Sequence, residues 1–119
     1  MILDFAKQRI ALLLAGSIST YPNFFMLGSG SGATLSTDTT LVCAVDRQAV
    51  TSTNGSNSQK VTWIGDWNSV EMSGIQLREF GMTGSNPGTT GSMWSKMSMP
   101  TITFDGTNEL RIEENWEVF

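Results

Sequence analysis

A chain of 119 residues with 39% apolar content is sized for one domain built on one modest core. Only 15% of the residues are charged and the net charge is −4, so there is no basic stripe to displace counterions from a nucleic acid, and the surface must be made of Ser, Thr, Asn and Gly. Histidine is absent and Cys43 stands alone, which removes the commonest general base, the usual metal-ligand clusters and an intrachain disulfide framework.

Residues 2–15 carry the one helical period. Leu3, Ala6, Ile10, Leu13 and Leu14 fall on one face, Asp4 sits in the first turn, and Gly16 is placed as the stop. Met1, Phe5 and Leu12 form a second apolar stripe more than a third of a turn away. Lys7 and Arg9 ahead of Ile10-Ala-Leu-Leu-Leu-Ala-Gly-Ser17 imitate a short export signal, with Ser17 where a lipidated Cys would stand; the segment reads as structure. No stretch approaches the roughly 20 apolar residues that cross a bilayer.

Tyr21-Pro22-Asn23 resets the chain, and Phe24-Phe25-Met26-Leu27 predicts a short buried strand ended by Gly28-Ser29-Gly30-Ser31-Gly32. From residue 41 the period is two. A strand over 41–52 leads to Asn54-Gly55, a hairpin signal. On the return strand, Lys60 to Trp67, Val61, Trp63 and Gly65 alternate with Thr62, Ile64 and Asp66, so both faces carry an apolar residue. Ile75 and Leu77 followed by Phe80-Gly81 flip the apolar parity, which predicts a bulge near Glu79. A loop over 83–92 holds Asn86-Pro87-Gly88. Met93, Met97 and Met99 line one face of the next strand, and Asp105-Gly106 is a second hairpin signal. In the last strand Leu110, Ile112, Trp116 and Val118 point one way; Glu109, Arg111, Glu113, Asn115, Glu117 and Phe119 point the other. The fold class expected is mainly β: one domain over 1–119, with a helix over 2–15 and strands and loops over 22–119. About six antiparallel strands would pack as a β-sandwich or partly closed barrel.

Candidate chemistry is thin. Gly28-Ser-Gly-Ser-Gly-Ala33 matches a loose phosphate loop, but Thr34-Leu35-Ser36-Thr37 shows no helical period, so it reads as a flexible connection. Asp66, Glu71, Glu79, Glu113, Glu114 and Glu117 offer carboxylates for glycoside hydrolysis. Glu113 and Glu117 share a strand face too far apart to share a water, and read as a solvated acidic face. No Ser-x-x-Lys motif supplies a nucleophile with a base. Cys43, among Leu41, Val42, Ala44 and Val45, reads as a small buried hydrophobe. Trp63, Trp94 and Trp116 read as core, while Trp67, beside Asp66 and Asn68 at a strand end, is the candidate for stacking on a ligand. No metal site and no cofactor site emerges.

The order of elements resembles a diverse group of small structural proteins of tailed bacteriophages. The resemblance rests on Phe5-Ala-Lys-Gln-Arg-Ile-Ala-Leu-Leu-Leu-Ala-Gly16, then Tyr21-Pro-Asn-Phe-Phe-Met-Leu-Gly-Ser-Gly-Ser-Gly32, then Thr37-Asp-Thr-Thr-Leu41. Arg47, Arg78-Glu-Phe-Gly81 and the terminal Glu114-Asn-Trp-Glu-Val-Phe119 follow in the same order. It implies a non-enzymatic virion component, either a head decoration (cement) protein or a tail fibre or tip accessory subunit. Its partners would be copies of itself and major capsid or tail proteins, with neither nucleic acid nor membrane among them. The group carries no catalytic or cofactor residues to transfer. Met1, Phe5, Leu12, Met93, Met97 and Met99 are the interface candidates, since Met adapts to irregular contacts in symmetric assemblies. The alternative is a carbohydrate-binding β-sandwich module using Trp67.

Overall fold

The helical period at the front folds as α1, Asp4–Leu14. Gly16 ends it as expected: it adopts φ +72°, its N–H reaches the Leu13 carbonyl at 3.0 Å, and the Ser17 N–H reaches Leu12 at 2.9 Å. That bond pair is a Schellman stop, which favours glycine because the left-handed backbone penalises a Cβ. The computed structural model describes residues 1–17, 21–55, 59–84 and 93–117.

Seven strands follow among these residues: β1 Pro22–Gly28, β2 Ala44–Ala49, β3 Ser52–Asn54, β4 Lys60–Trp67, β5 Gln76–Gly84, β6 Met93–Thr103 and β7 Leu110–Glu117. They form two antiparallel sheets, in the orders β2-β1-β5-β6 and β3-β4-β7. The architecture is a mainly β sandwich of two sheets. Between β4 and β5 a single helical turn, α2 (Ser69–Met72), opens with a capping box in which Asn68 and Glu71 each accept the other's backbone N–H. The Asn68-x-x-Glu71 spacing is a capping-box signal that the sequence carries.

The strand expected over 41–52 is two strands in different sheets. Its corner is Val50-Thr51, where the Val50 N–H bonds Asn23 of β1 and the Thr51 N–H bonds Ile64 of β4. Asn54-Gly55 does precede a hairpin, with Asn54 opposite Thr62, although residues 56–58 of its loop lie outside the described residues. Asp105-Gly106 makes a turn but no hairpin. Gly106 sits at φ +93° and Asp105 accepts the Thr107 N–H, yet β6 and β7 belong to different sheets, so the turn carries the chain across the sandwich. Asn86-Pro87-Gly88, Val118 and Phe119 fall outside the described residues, whereas Thr83 and Gly84, expected in a loop, belong to β5.

The main core gathers Phe25, Leu27, Leu77 and Met82 from the four-stranded sheet and Trp63, Trp67 and Ile112 from the three-stranded sheet, closed by Met72 and Phe104. Burying each large side chain is worth roughly 1.5–3 kcal/mol. The β5 register shifts between Leu77 and Glu79, where the parity flip placed a bulge. A second shift leaves Trp94 unopposed between the pairs Met82–Ser95 and Thr83–Met93. This corrects the methionine stripe: Met93 turns into a separate cluster with Leu3, Leu41 and Met26, while Met97 lies opposite Phe80. That smaller cluster lies on the other face of the four-stranded sheet, under the start of α1 and the segment joining β1 to β2. No helix among the described residues is long and apolar enough to cross a membrane.

Candidate functional site

The carboxylates raised for catalysis each have a structural partner or an exposed position. Asp66 takes the Arg111 guanidinium at 2.7 Å from the register-paired strand and the Thr51 hydroxyl at 3.0 Å, and these, Arg111 first, hold it below the usual carboxylate range. Glu71 caps α2. Glu113 and Glu117 are exposed on β7, in keeping with a solvated face.

Glu79 is the residue the sequence hid most completely. It is 1% exposed, yet the Val42 N–H donates to Oε1 at 2.9 Å, and the Cys43 and Gly30 N–H groups donate to Oε2 at 2.8 and 3.0 Å. The Gly-Ser loop that resembled a phosphate cradle therefore contributes one amide, that of Gly30, to a carboxylate site completed by Val42 and Cys43, and the carboxylate is the protein's own. Gly28 and Gly30 are required by closeness: a Cβ at Gly28 would stand 2.5 Å from Glu79 Cγ, and one at Gly30 2.4 Å from Val42 Cβ. Nearby, buried Lys96 donates to Asp38 at 3.1 Å, and the Leu35 N–H also donates to Asp38; these bonds, the Leu35 amide first, lower the Asp38 pKa. Cys43 is exposed, contrary to expectation; β2 is an edge strand, so its neighbourhood faces water.

Glu114 alternates with the wrong set. It shares the inward side of β7 with Ile112 and Trp116, and it receives the Ser95 hydroxyl at 2.7 Å and the Trp116 indole N–H at 2.8 Å. Ser95 also accepts the Met82 N–H at 3.2 Å, so one hydroxyl links β5, β6 and the opposite sheet. Burial raises the Glu114 pKa, opposed by those two hydrogen bonds.

The ligand-stacking role expected of Trp67 does not fit its position. Trp67 is 1% exposed, packs edge-on to Phe25, and donates its indole N–H to Asp46 at 3.1 Å, so it has no free ring face. Strand alternation explains this: Trp67 shares the inward parity of Trp63 and Gly65. The other three tryptophans join Phe5 in a row, Phe5–Trp94–Trp116–Trp63, with ring centroids 6.1, 6.4 and 5.1 Å apart.

The six interface candidates separate by exposure. Residues 1–3 run antiparallel along the edge of β6: the Leu3 N–H bonds the Trp94 carbonyl, and Lys96 exchanges two bonds with Met1. Met1, Ile2 and Met97 are thereby brought to one sheet edge, 54%, 37% and 50% exposed. Phe5 is half-buried between Trp94 and the Arg9 guanidinium. Leu12 is 40% exposed and Leu14 86%, so Leu14, assigned to the inward stripe, faces water instead. Only Ala6 is buried along α1, while Ile10 and Leu13 of the same stripe are half-buried. Met99 packs against the main core and Met93 is buried, so Met93 cannot serve as a surface contact in this fold. A groove of about 260 Å³ lies between α1 and the segment joining β1 to β2, lined by Asp4, Phe5, Gln8 and Ser36 to Thr39. Among the described residues no three His, Cys, Asp or Glu gather to hold a metal ion. No family model, curated protein or solved structure matches the chain.

Proposed function

We propose that this chain is a non-enzymatic structural subunit of a tailed-phage virion, assembling through symmetric protein–protein contacts as a head decoration protein or a tail fibre or tip accessory subunit. The observation that supports this reading is the apolar surface at the N-terminal end of the sequence. Leu12 and Leu14 on α1, with Met1, Ile2 and Met97 at the β6 edge, stand exposed on a lightly charged chain. Exposed apolar groups at the end of α1 and at the β6 edge are the kind of surface that partners cover. The ordered phage-like motifs of the sequence point to the particle as the place of assembly. The carbohydrate-binding alternative loses its anchor with the burial of Trp67.

Cryo-electron microscopy and mass spectrometry of purified particles test the proposal. The expected result is density for this chain in symmetric copies, with α1 at a subunit boundary. Its absence from purified virions would overturn the reading.

A further inference from the structure

Residues 29–43 leave the four-stranded sheet at the end of β1 and return at the start of β2, with the two ends tied by the Ser29 N–H to the Cys43 carbonyl at 2.9 Å. None of the residues gathered in the sandwich core comes from 28–49. The loop's apolar anchor is Leu41, 3% exposed in the small cluster with Leu3, Met93 and Met26. Its remaining fastenings to the sheet are polar. Glu79 takes three main-chain N–H groups, Lys96 takes Asp38, the Arg78 guanidinium donates to the Ser29 carbonyl, and Ser98 bonds the Gly32 carbonyl and Thr34. A segment with one apolar anchor, outside the main core, is the kind of unit that opens locally while the rest of a domain stays folded.

We propose that residues 29–43 form a strap that opens independently of the sandwich, and that its latch is a carboxylate-binding nest filled in cis by Glu79. The N–H groups of Gly30, Val42 and Cys43 converge on that carboxylate at 2.8–3.0 Å, the geometry of a backbone anion site. Two of the three donors come from the far end of the strap and one from the near end, so the anion joins both ends to β5. The ligand class is a small monocarboxylate. Truncation to alanine removes a methylene and a carboxylate from Glu79, and acetate restores the same non-hydrogen atoms.

Amide hydrogen exchange on the whole chain tests this, comparing wild type with Glu79→Ala, with and without sodium acetate and with sodium chloride as the ionic control. The expected result is that the Gly30, Val42 and Cys43 amides exchange roughly ten- to a hundredfold faster in Glu79→Ala, as follows from losing charge-assisted hydrogen bonds. Amides of β4 and β7 keep their wild-type protection, and acetate at tens of millimolar slows the strap amides again where chloride does not. Three results overturn the proposal: unchanged strap amides, which deny the latch; strap and β4/β7 amides loosening together, which denies independent opening; and equal effects of acetate and chloride, which deny the nest. If Glu79→Ala does not fold, Glu79→Gln keeps one acceptor oxygen in place without the charge. Selective loosening of its strap amides supports the latch, and failure of that variant to fold as well overturns independent opening.

Discussion

Gly65 of β4 lies against Phe25 of β1 with no room for a methyl group between the sheets: a Cβ at Gly65 would stand 2.5 Å from Phe25 Cδ2 and 2.9 Å from Cε2. The third neighbour is the Trp67 ring at 3.1 Å, so the clash is with rigid aromatic atoms on two sides. Gly65→Ala is expected to destabilise the fold by about 1–3 kcal/mol, the usual range for overpacking a closed core. Urea denaturation measures this directly. Adding Phe25→Leu, which shortens the opposing side chain, should lessen the penalty of the second substitution relative to Phe25→Leu alone; strict additivity would mean that the two positions do not touch.

Trp67 belongs to the same contact, and its replacement separates packing from ligand binding. Trp67→Ala removes a fully buried ring and is expected to cost roughly 3–5 kcal/mol. Trp67→Phe keeps most of the volume but leaves Asp46 without its indole donor, with an expected cost of about 1–2 kcal/mol. Unchanged denaturation midpoints in both variants would contradict the observed burial.

Glu114 sets a pH dependence of definite sign. Its folded-state pKa lies above its ordinary value because burial disfavours the ionised form. The folded state therefore binds more protons than the unfolded state between the two pKa values, and stability falls as pH rises through that window. Its contribution is fully present below the unfolded-state pKa and is lost above the folded-state one. Asp38 acts the other way: its lowered pKa contributes stability that is lost only as pH falls through the folded value. Glu114→Gln isolates the first effect, since the lowered aspartates are common to both proteins. The stability of wild type relative to Glu114→Gln is expected to decline between mildly acidic and neutral pH, read from chemical denaturation at several pH values. A constant difference would mean that Glu114 is not desolvated.

The parity of β7 was legible because Arg111, Glu113, Asn115 and Glu117 alternate with Leu110, Ile112 and Trp116, and a half-buried strand imposes that period directly. Glu114 was not, because a lone carboxylate on an apolar face is intelligible only once Ser95 arrives from the opposite sheet. The same limit hid Glu79: its partners are main-chain N–H groups at Gly30, Val42 and Cys43, which no side-chain pattern announces. The turn at Asp105-Gly106 was readable as a turn, but turn chemistry does not say whether the next strand pairs with the previous one or crosses to another sheet. Local signals gave α1, its Gly16 stop and the bulge near Glu79. Long-range pairing decided which of Met93, Met97 and Met99 faces water.

The exposed end of α1 supplies the most discriminating test of self-assembly. A helix held to its domain through one buried face has no internal need for large apolar residues on the others. Leu12 and Leu14 nevertheless stand 40% and 86% exposed, while Phe5, from the same second stripe as Leu12, rests against Trp94 of its own chain. Phe5→Ser with Leu12→Ser therefore mixes two effects, because loss of the Phe5–Trp94 contact weakens the fold itself. Leu12→Ser with Leu14→Ser separates them. At exposed positions this pair should leave unfolding stability within about 0.5 kcal/mol of wild type per site. If the two leucines are covered by a neighbouring subunit, their loss weakens assembly by as much as roughly 1.5–3 kcal/mol for each side chain fully buried there. Analytical ultracentrifugation at high protein concentration and incorporation into particles read the second quantity, and urea denaturation reads the first. Unchanged stability with lost assembly places the interface on α1. Unchanged stability with unchanged assembly removes the end of α1 from the interface and turns attention to the β6 edge, where Met1, Ile2 and Met97 are also exposed.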